Sequence, residues 1–523
     1  MLRLRHWGLF LGFVSLLAYG SARAAEDSGQ ALLDKATDIK LSAERVADLN
    51  EVIKLCQDAI AAGLDAGSKK FADELLASTL TQRASLICLE LFERPVSQIR
   101  VQKLVPMALA DLEETLKLDS EQAEAQYLIG RLYAHMGERE KGLQALDAAV
   151  RLTEGEPAAR AKSLMIRANL KTDPAARLAD FDETVKLLPH DANALRLRGM
   201  FHFSQNEFAP ALADFDAAIA LDPNDADTYE ARGLVQSVDQ KYDDAMGSFN
   251  KAIELAPESP MAYIYRSKVR AMRGDNPAAL ADVEQALKLA PGSVQARLLH
   301  AALLGTSGKF DKALVDLNLL RTAMPDNPEV LLQIAMVHQA SKQPRQAVEV
   351  YDAVLHADPG NLAAYRGRAD ARLSLGQQSE AVADYDSALQ LEPKNSGVLN
   401  NLAWVLATSP EDQLRNGKRA IELATLACEV TEFKQAHILS TLAAGYAEVG
   451  DFETACKWSK KAVELGTDGL KSQLRKELES YQAGHPWREA TPPTEDDAAD
   501  QTASPLPTPA PESDDTARTK SER

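Results

Sequence analysis

The sequence predicts an all-α protein, an α-solenoid built from stacked antiparallel helix hairpins. The first observation is a proline every 34 residues, at Pro189, Pro223, Pro257, Pro291, Pro325, Pro359 and Pro393. The second is a pair of columns with the same step, one always small (Gly199, Gly233, Ser267, Ala301, Ala335, Ala369, Ala403) and one always large (Phe215, Phe249, Val283, Leu317, Tyr351, Tyr385). A fixed period of this length indicates repeated hairpins, each of which buries its apolar face by stacking on its neighbours.

One unit shows why each element forms. We predict its first helix over residues 192–204 and its second over 208–221, with a short turn between them. Gly199 on the first helix lets the second helix approach closely, and Ala211 of the second helix meets it there. Phe215 and Ala218, three residues apart, lie on one face of the second helix. Pro223 cannot continue the second helix, because it lacks the N–H and its ring clashes with the preceding turn.

The period and these columns resemble the tetratricopeptide repeat (TPR) family. The residues that carry the resemblance in this unit are Gly199, Ala211, Phe215, Ala218 and Pro223. The resemblance implies a right-handed superhelix whose first helices line a concave face, and protein or peptide partners bound on that face. Some members grip a partner's terminal carboxylate with clustered Lys, Arg and Asn. Here Asn400 and Asn401 have no accompanying lysines, so that clamp is not expected.

The N-terminus has the pattern of a signal peptide. Arg3 and Arg5 precede an apolar run from Trp7 to Tyr19, and residues 22–24 form a small-x-small cleavage site. The run is too short to span a bilayer comfortably, so we expect an exported protein, periplasmic or secreted, with no integral membrane span after signal removal. A retained membrane anchor is the alternative.

The predicted organisation has five segments forming one elongated array rather than several globules. They are a signal peptide (1–24), an N-terminal helical segment (25–70), a TPR solenoid of about eleven units (71–468), a capping helix (469–484) and a disordered tail (485–523). We predict disorder in the tail because its Pro, Thr, Ala, Ser and acidic residues bury too little apolar surface to offset ordering entropy.

Charge and motifs exclude several functions. The formal charge of −19 argues against nucleic-acid binding, which needs Lys and Arg to displace phosphate counterions. The sequence has no CxxC, HExxH, GxSxG or P-loop motif, so we predict no catalytic, cofactor or metal site. Cys428 and Cys456 lie in neighbouring second helices, which fits either a bridge or, the favoured interpretation, buried free thiols.

A charge pattern also follows the period. An arginine precedes the small column and an aspartate precedes the large column, which predicts the pairs Arg198–Asp214, Arg266–Asp282 and Arg368–Asp384. Arg232 faces Ser248 and lacks that partner. As exposed ion pairs, each would add about 0–1 kcal/mol to the stacking.

The first helices supply the candidate partner-binding residues. These are Arg196, Met200, Phe203, Leu234, Ile264, Lys268, Met336, Arg366 and Trp404. Such a stripe, apolar and containing methionine, suits an adaptable protein or peptide partner. The alternative is that individual members pack between adjacent units.

These observations predict a non-enzymatic scaffold or adaptor of the exported compartment that binds a protein or peptide partner. Two alternatives stay open at this stage. One is a structural element of the cell envelope held by avidity along its surface, which would associate with insoluble envelope. The other is an enzyme with an unrecognised site, which no residues at catalytic spacing support.

Overall fold

The computed structural model describes residues 28–93 and 96–490. Within these residues it contains α-helices, one 3₁₀ turn and no β-strand, which confirms the all-α class. The chain divides between Glu258 and Ser259 into two compact units, each made of antiparallel helix pairs stacked in chain order. The predicted signal peptide, and residues 491–523 of the predicted tail, lie outside the described residues.

The described part of the first unit consists of helix pairs joined by short turns. Its helices are α1 (28–40), α2 (Val46–Ala62), α3 (Ala66–Glu93), α4 (Gln98–Leu118), α5 (Ala123–His135), α6 (Arg139–Leu152), α7 (Pro157–Leu170), α8 (Pro174–Leu187), α9 (Ala192–Ser204), α10 (Phe208–Leu221), α11 (Ala226–Val238) and α12 (Tyr242–Leu255).

The second unit continues the pattern and ends on a single helix. Its helices are α13 (Pro260–Met272), α14 (Asn276–Leu289), α15 (Val294–Thr306), α16 (Phe310–Ala323), α17 (Pro328–Ala340), α18 (Pro344–Ala357), α19 (Leu362–Ser374), α20 (Gln378–Leu391), α21 (Ser396–Thr408), α22 (Gly417–Val430), α23 (Ala436–Glu448), α24 (Phe452–Leu465) and α25 (Asp468–Gln482). The 3₁₀ turn, Asp412–Leu414, lies between α21 and α22.

The helix bounds match the prediction where the period is regular. α9 and α10 begin and end at the predicted residues. The bounds differ at the N-terminal side, where α3 begins at Ala66 and crosses the predicted boundary at residue 71. It begins there because the Asp65 carboxylate caps its first turn: it accepts the backbone N–H groups of Gly67 and Ser68, at 2.8 and 3.0 Å.

Side-chain caps fix the start of most first helices. The Asp191 carboxylate accepts the backbone N–H groups of Asn193 and Ala194, at 2.9 and 3.1 Å, which satisfies two of the free donors at the start of α9. Equivalent caps recur with the 34-residue step, at Asp225, Ser293, Asn327, Asn361 and Asn395. Capping is therefore part of the repeat.

The small column lets the two helices of a hairpin approach closely, as predicted, and the large residue packs directly against it. Phe215 is fully buried, and a Cβ built on Gly199 would lie 2.8 Å from its ring. Gly233 stands in the same relation to Phe249, at 2.7 Å. The glycines therefore let the two helices of a hairpin approach to a distance that a larger side chain would prevent.

The three predicted arginine–aspartate pairs are confirmed. Each is bidentate, through Nε and Nη2, and the Nη2–Oδ1 distances are 2.7 Å for Arg198–Asp214, 2.6 Å for Arg266–Asp282 and 2.5 Å for Arg368–Asp384. Their expected exposure was wrong: the aspartate side chains are only 4–8% exposed. Arg232 donates to the Ser248 hydroxyl instead, at 3.1 Å.

Three arginines of this column also connect their hairpins to the preceding ones, which the sequence analysis did not predict. The Nη1 atom of Arg198 lies 2.9 Å from Asp182, that of Arg232 lies 2.7 Å from Asp216, and that of Arg368 lies 2.5 Å from Asp352. Each carboxylate stands 16 residues before its arginine. We call these residues the arginine ladder.

Among the described helices, α3 is the one whose length and apolar composition would suffice to cross a membrane. Half of its most apolar stretch is buried inside the protein. Its Leu80 packs with α1 and α2, and its Ala84 and Ile87 pack with α4 and α5. Core helices meet the same criterion, so length and composition alone do not make α3 a membrane span.

All four cysteines are free thiols, as the favoured interpretation predicted. Burial raises the pKa of Cys56 and of Cys428 to about 11 and that of Cys88 to about 12. These three thiols are therefore protonated and weakly nucleophilic at neutral pH.

Candidate functional site

Four of the predicted partner-binding residues lie in the first unit: Arg196, Met200 and Phe203 on α9, and Leu234 on α11. Met200 is 38% exposed, whereas Phe203 and Leu234 are half-buried. Phe203 packs against Phe208, with their ring centroids 6.3 Å apart. In this unit Met200 is thus the apolar candidate that a partner reaches most directly.

Glu230 of α11 is a half-buried acid on the same helix as Leu234. Burial, assisted by the negative charge of Asp227, raises the pKa of Glu230 to about 7. The carboxyl group therefore gains its charge near neutral pH instead of near pH 4.

This shift predicts a pH-dependent effect of the Glu230→Gln substitution. The folded-state pKa of Glu230 lies above the unfolded-state pKa of about 4.3, so the protonated carboxyl group contributes its full stability below that pH. This contribution is lost as the pH rises to about 7. The amide mimics the neutral acid, so the variant should be more stable than the native chain at pH 8, by about 1 kcal/mol given solvent screening, and equally stable at pH 4.

Thermal unfolding of both chains at pH 4 and pH 8 measures this effect. The control is Glu258→Gln, which changes an exposed glutamate in a turn and should shift the melting temperature equally little at both pH values. A Glu230→Gln shift that is the same at pH 4 and pH 8 would contradict the assignment.

The other predicted residues lie on first helices of the second unit: Ile264 and Lys268 on α13, Met336 on α17, Arg366 on α19 and Trp404 on α21. Met336 is 49% exposed and Arg366 is also exposed. Ile264 is fully buried, in a cluster with Val283 and Leu303. We therefore remove Ile264 from the candidate surface, because its own unit covers it.

A cavity of about 440 Å³ lies beside α13, α15 and α17. Lys268 lines it together with Leu298 and Glu329. The Lys268 ammonium lies 5.7 Å from the ring centroid of Tyr265, at the edge of cation–π range. This part of the surface therefore combines an apolar floor with charges of both signs.

A second cavity, of about 430 Å³, lies between α17 and α19. Leu332 and Met336 form its α17 side, and Arg366 and Asp370 form its α19 side. Tyr351 of α18 closes its floor, and its hydroxyl donates to the Gln339 side chain at 2.7 Å. Two predicted residues, Met336 and Arg366, thus line one cavity.

A third cavity, of about 330 Å³, is lined by α19, α21, α23 and α25. Trp404 and Leu373 supply apolar surface, while Asn400, Asn401 and His437 supply hydrogen-bonding groups. The Asn400 side-chain oxygen is buried and has no hydrogen-bond partner among the described residues. A ligand amide or hydroxyl entering the cavity would satisfy that acceptor.

Two carboxyl groups, one half-buried and one buried, also line the third cavity. Asp370 accepts hydrogen bonds from the Tyr385 hydroxyl and, at 3.4 Å, from the Asn401 amide. Glu477 accepts from the Ser440 hydroxyl and, at 3.1 Å, from the Gln473 amide. Burial raises the pKa of both carboxyl groups above their ordinary values, although these hydrogen bonds act in the opposite direction.

Two positions in each first helix, four residues apart, account for the cavity linings. The pairs are Leu298 and Ala302, Leu332 and Met336, Arg366 and Asp370, and Asn400 and Trp404. Residues four apart share one helix face, so the 34-residue step places equivalent side chains next to each other on successive hairpins. Glu477, by contrast, lies outside the repeat on α25, and the periodic pattern gave no signal for it.

The second and third cavities share Asp370, and the third shares Trp404 with a fourth cavity of about 290 Å³. We call the surface formed by these three connected cavities the first-helix groove. Its lining is mostly apolar, with amides, carboxyl groups and one arginine at intervals. Such a surface fits an extended polypeptide, whose backbone needs hydrogen bonds and whose side chains need separate apolar pockets.

Comparison with protein families supports the repeat assignment. The tetratricopeptide repeat model matches residues 106–157, 173–226, 202–260, 230–294 and 332–396. These stretches of the chain match TPR repeats, and the last of them covers most of α17 and all of α19, the two helices that form the Met336 cavity. Tetratricopeptide repeats are typical of protein–protein interaction. None of the curated proteins matches the chain.

Solved TPR structures resemble the chain distantly. A tetratricopeptide repeat protein from Parabacteroides merdae is 18% identical, with a TM-score of 0.36 over 54% of this chain and 97% of its own. Yeast Tom70 is 14% identical, with a TM-score of 0.42 over 87% and 96%. YrrB, described as a TPR protein with an unusual peptide-binding site, is 21% identical, with a TM-score of 0.27 over 42% and 96%. Likeness this distant assigns no site to the chain.

Proposed function

We propose that this protein is a non-enzymatic interaction scaffold that binds an extended segment of a protein partner in the first-helix groove. The observation that carries the proposal is the continuity of three cavities along α17, α19, α21 and α23. Each successive hairpin presents equivalent positions, so a chain lying across the hairpins meets a new pocket at each one.

The chemistry of the groove supports a polypeptide occupant. Met336 is exposed and unbranched, and it adapts to side chains of different shape. Asn400 and Asn401 provide amides that pair with backbone N–H and C=O groups. Among the described residues no three His, Cys, Asp or Glu side chains form a group able to hold a metal ion. The groove thus has the features of a binding surface.

The compartment is a second part of the proposal and rests on the sequence alone. The basic start, short apolar run and small-x-small site at residues 1–24 support export. We propose that the protein works in the periplasm or outside the cell, where its partner is another exported protein. Recovery of the chain from the periplasmic or extracellular fraction, with its N-terminus at Ala25, tests this part.

The groove is tested with peptides selected from a displayed random library on the immobilised native chain. The Kd of the selected peptides is then measured for the native chain and for the Met336→Asp variant. A carboxylate placed on the apolar wall of the 430 Å³ cavity should weaken binding at least tenfold, because a peptide side chain must desolvate it.

The matched control is Val315→Asp, which makes the same kind of change at an exposed residue on the second helix α16 (Val315 is 62% exposed). Val315→Asp should leave the Kd within twofold of the native value. Equal loss in both variants, or selected peptides that bind Met336→Asp as tightly as the native chain, would refute the groove as the binding surface.

A further inference from the structure

The chain does not leave the second unit where its last helix ends. Gly484, with a φ of 76°, forms a left-handed cap after α25, and the N–H of His485 donates to the Ser480 carbonyl at 2.9 Å. Pro486 then prevents the helix from resuming. The chain reverses here, and residues 484–490 run along α21. We call these residues the strap.

The strap bonds to the C-terminal end of α21. The N–H of Glu489 donates to the Thr408 carbonyl at 3.0 Å, and the Arg488 guanidinium donates to the Ala407 carbonyl at 3.2 Å. The last carbonyls of a helix lack partners within the helix. They are acceptors that any extended chain lying in this position can use.

The strap also holds a predicted partner-binding residue. The indole N–H of Trp404 donates to the Glu489 carboxylate at 3.0 Å, and Glu489 and Ala490 border the 290 Å³ cavity together with Trp404. Trp404 lines the 330 Å³ cavity as well. One end of the first-helix groove is therefore already occupied by a segment of the same chain.

One buried hydrogen-bond donor of the strap has no acceptor. Trp487 packs against the core cluster of α21, α23 and α24, but its indole N–H is buried and has no acceptor among the described residues. A buried donor without a partner costs about 1–3 kcal/mol. This cost lowers the free energy needed to release the strap. The Tyr481 hydroxyl of α25 likewise has no partner among the described residues, but α25 buries three side chains, Leu474, Glu477 and Tyr481, and is held more firmly.

We propose that the strap is an intramolecular ligand that closes one end of the first-helix groove, and that a partner segment must displace it to bind there. The inference rests on the proposed function for the location of the partner. Tethering gives the strap a high effective concentration at its site, on the order of millimolar for a short linker. A partner segment can therefore occupy the whole groove only if it outcompetes the strap at this effective concentration.

The test uses a fluorescein-labelled peptide with the sequence of residues 484–493 and two full-length chains. One chain is native and the other carries Trp487→Ala and Glu489→Ala, which remove the packing of the Trp487 ring and the hydrogen bond between Trp404 and Glu489. The peptide should bind the double variant with a Kd at least tenfold lower than the native chain, because the site is free only in the variant. The same peptide with both substitutions is the control and should not bind.

Hydrogen exchange on the native chain provides an independent measurement that needs no variant. The Glu489 amide should exchange at least tenfold faster than the central amides of α25, because the strap opens without unfolding of the helix. If the Glu489 amide exchanges as slowly as the central amides of α25, the strap is a permanent part of the fold and the proposal is overturned. Equal peptide binding to both chains, or no binding to the double variant while its circular dichroism is native, would do the same.

These outcomes separate the inference from the proposed function. If library peptides bind the groove equally in the native chain and in the double variant, the strap is not a competitor and the groove remains a binding surface. If the strap peptide binds the double variant but no library peptide depends on Met336, the strap has a docking site and the proposed function fails.

Discussion

Replacing Asp384 by alanine should destabilise the second unit by about 3–5 kcal/mol. The Asp384 carboxylate is 3% exposed and accepts hydrogen bonds from two arginines, Arg368 through two nitrogens and Arg372 at 2.7 Å. Removing the carboxylate leaves both guanidinium groups largely buried without their main counter-charge, and the loss of one partner of a buried pair is costly. Urea unfolding followed by circular dichroism measures the change.

Asp352→Ala provides a matched control within the same network. Asp352 pairs with the remaining nitrogen of Arg368, but its side chain is 51% exposed. Water replaces an exposed carboxylate readily, so this variant should lose about 1 kcal/mol or less. If the two variants lose equal stability, burial is not what gives the Asp384 pair its strength.

The second large effect is expected for Gly367→Ala, which should cost about 3 kcal/mol. A Cβ built on Gly367 would lie 2.3 Å from both Cζ and the hydroxyl oxygen of Tyr351. Tyr351 is fully buried and its hydroxyl is held by Gln339, so the ring has little room to move. Overpacking of this kind forces side chains out of their rotamers or shifts the backbone. Thermal or urea unfolding of the variant gives the loss.

A double-mutant cycle and a control glycine identify the cause. Tyr351→Leu should itself be destabilising, but Gly367→Ala should cost little in its presence, because leucine lacks the atoms that clash. Leu317 shows that leucine is accommodated at the equivalent position of another hairpin. Gly397→Ala places a Cβ no closer than 3.5 Å to any neighbour and should be neutral or slightly stabilising. Additive losses in the cycle would exclude the Tyr351 clash.

Periodicity made much of this fold predictable. Steric and capping requirements recur with each hairpin, so the bounds of α9 and α10, and three buried ion pairs, follow from columns in the sequence. The N-cap column at Asp191, Asp225 and Asn361 was visible in the same register and was overlooked. Burial of the aspartates was not predictable from the columns, because a column gives the type of residue at a position and not its exposure.

The candidate site was predictable only in part, because equivalent positions of the repeat differ in their burial. Met336, Arg366 and Trp404 line the groove because the repeat sets their helix face. Ile264 occupies an equivalent position yet is buried, because its apolar side chain is drawn into the cluster around Val283. The strap lies in a segment whose composition predicts disorder, and its contacts depend on long-range geometry that no local pattern records.

The arginine ladder has a consequence for how neighbouring hairpins depend on one another. In a linear array, stability is approximately a sum of the free energies of single repeats and of nearest-neighbour coupling. Arg368 couples its hairpin to Asp352 of the preceding one, but the equivalent position one repeat earlier is Ile334, which contributes only apolar packing. The arginine ladder itself is therefore interrupted at α17, and at this position coupling to the preceding hairpin depends on apolar packing.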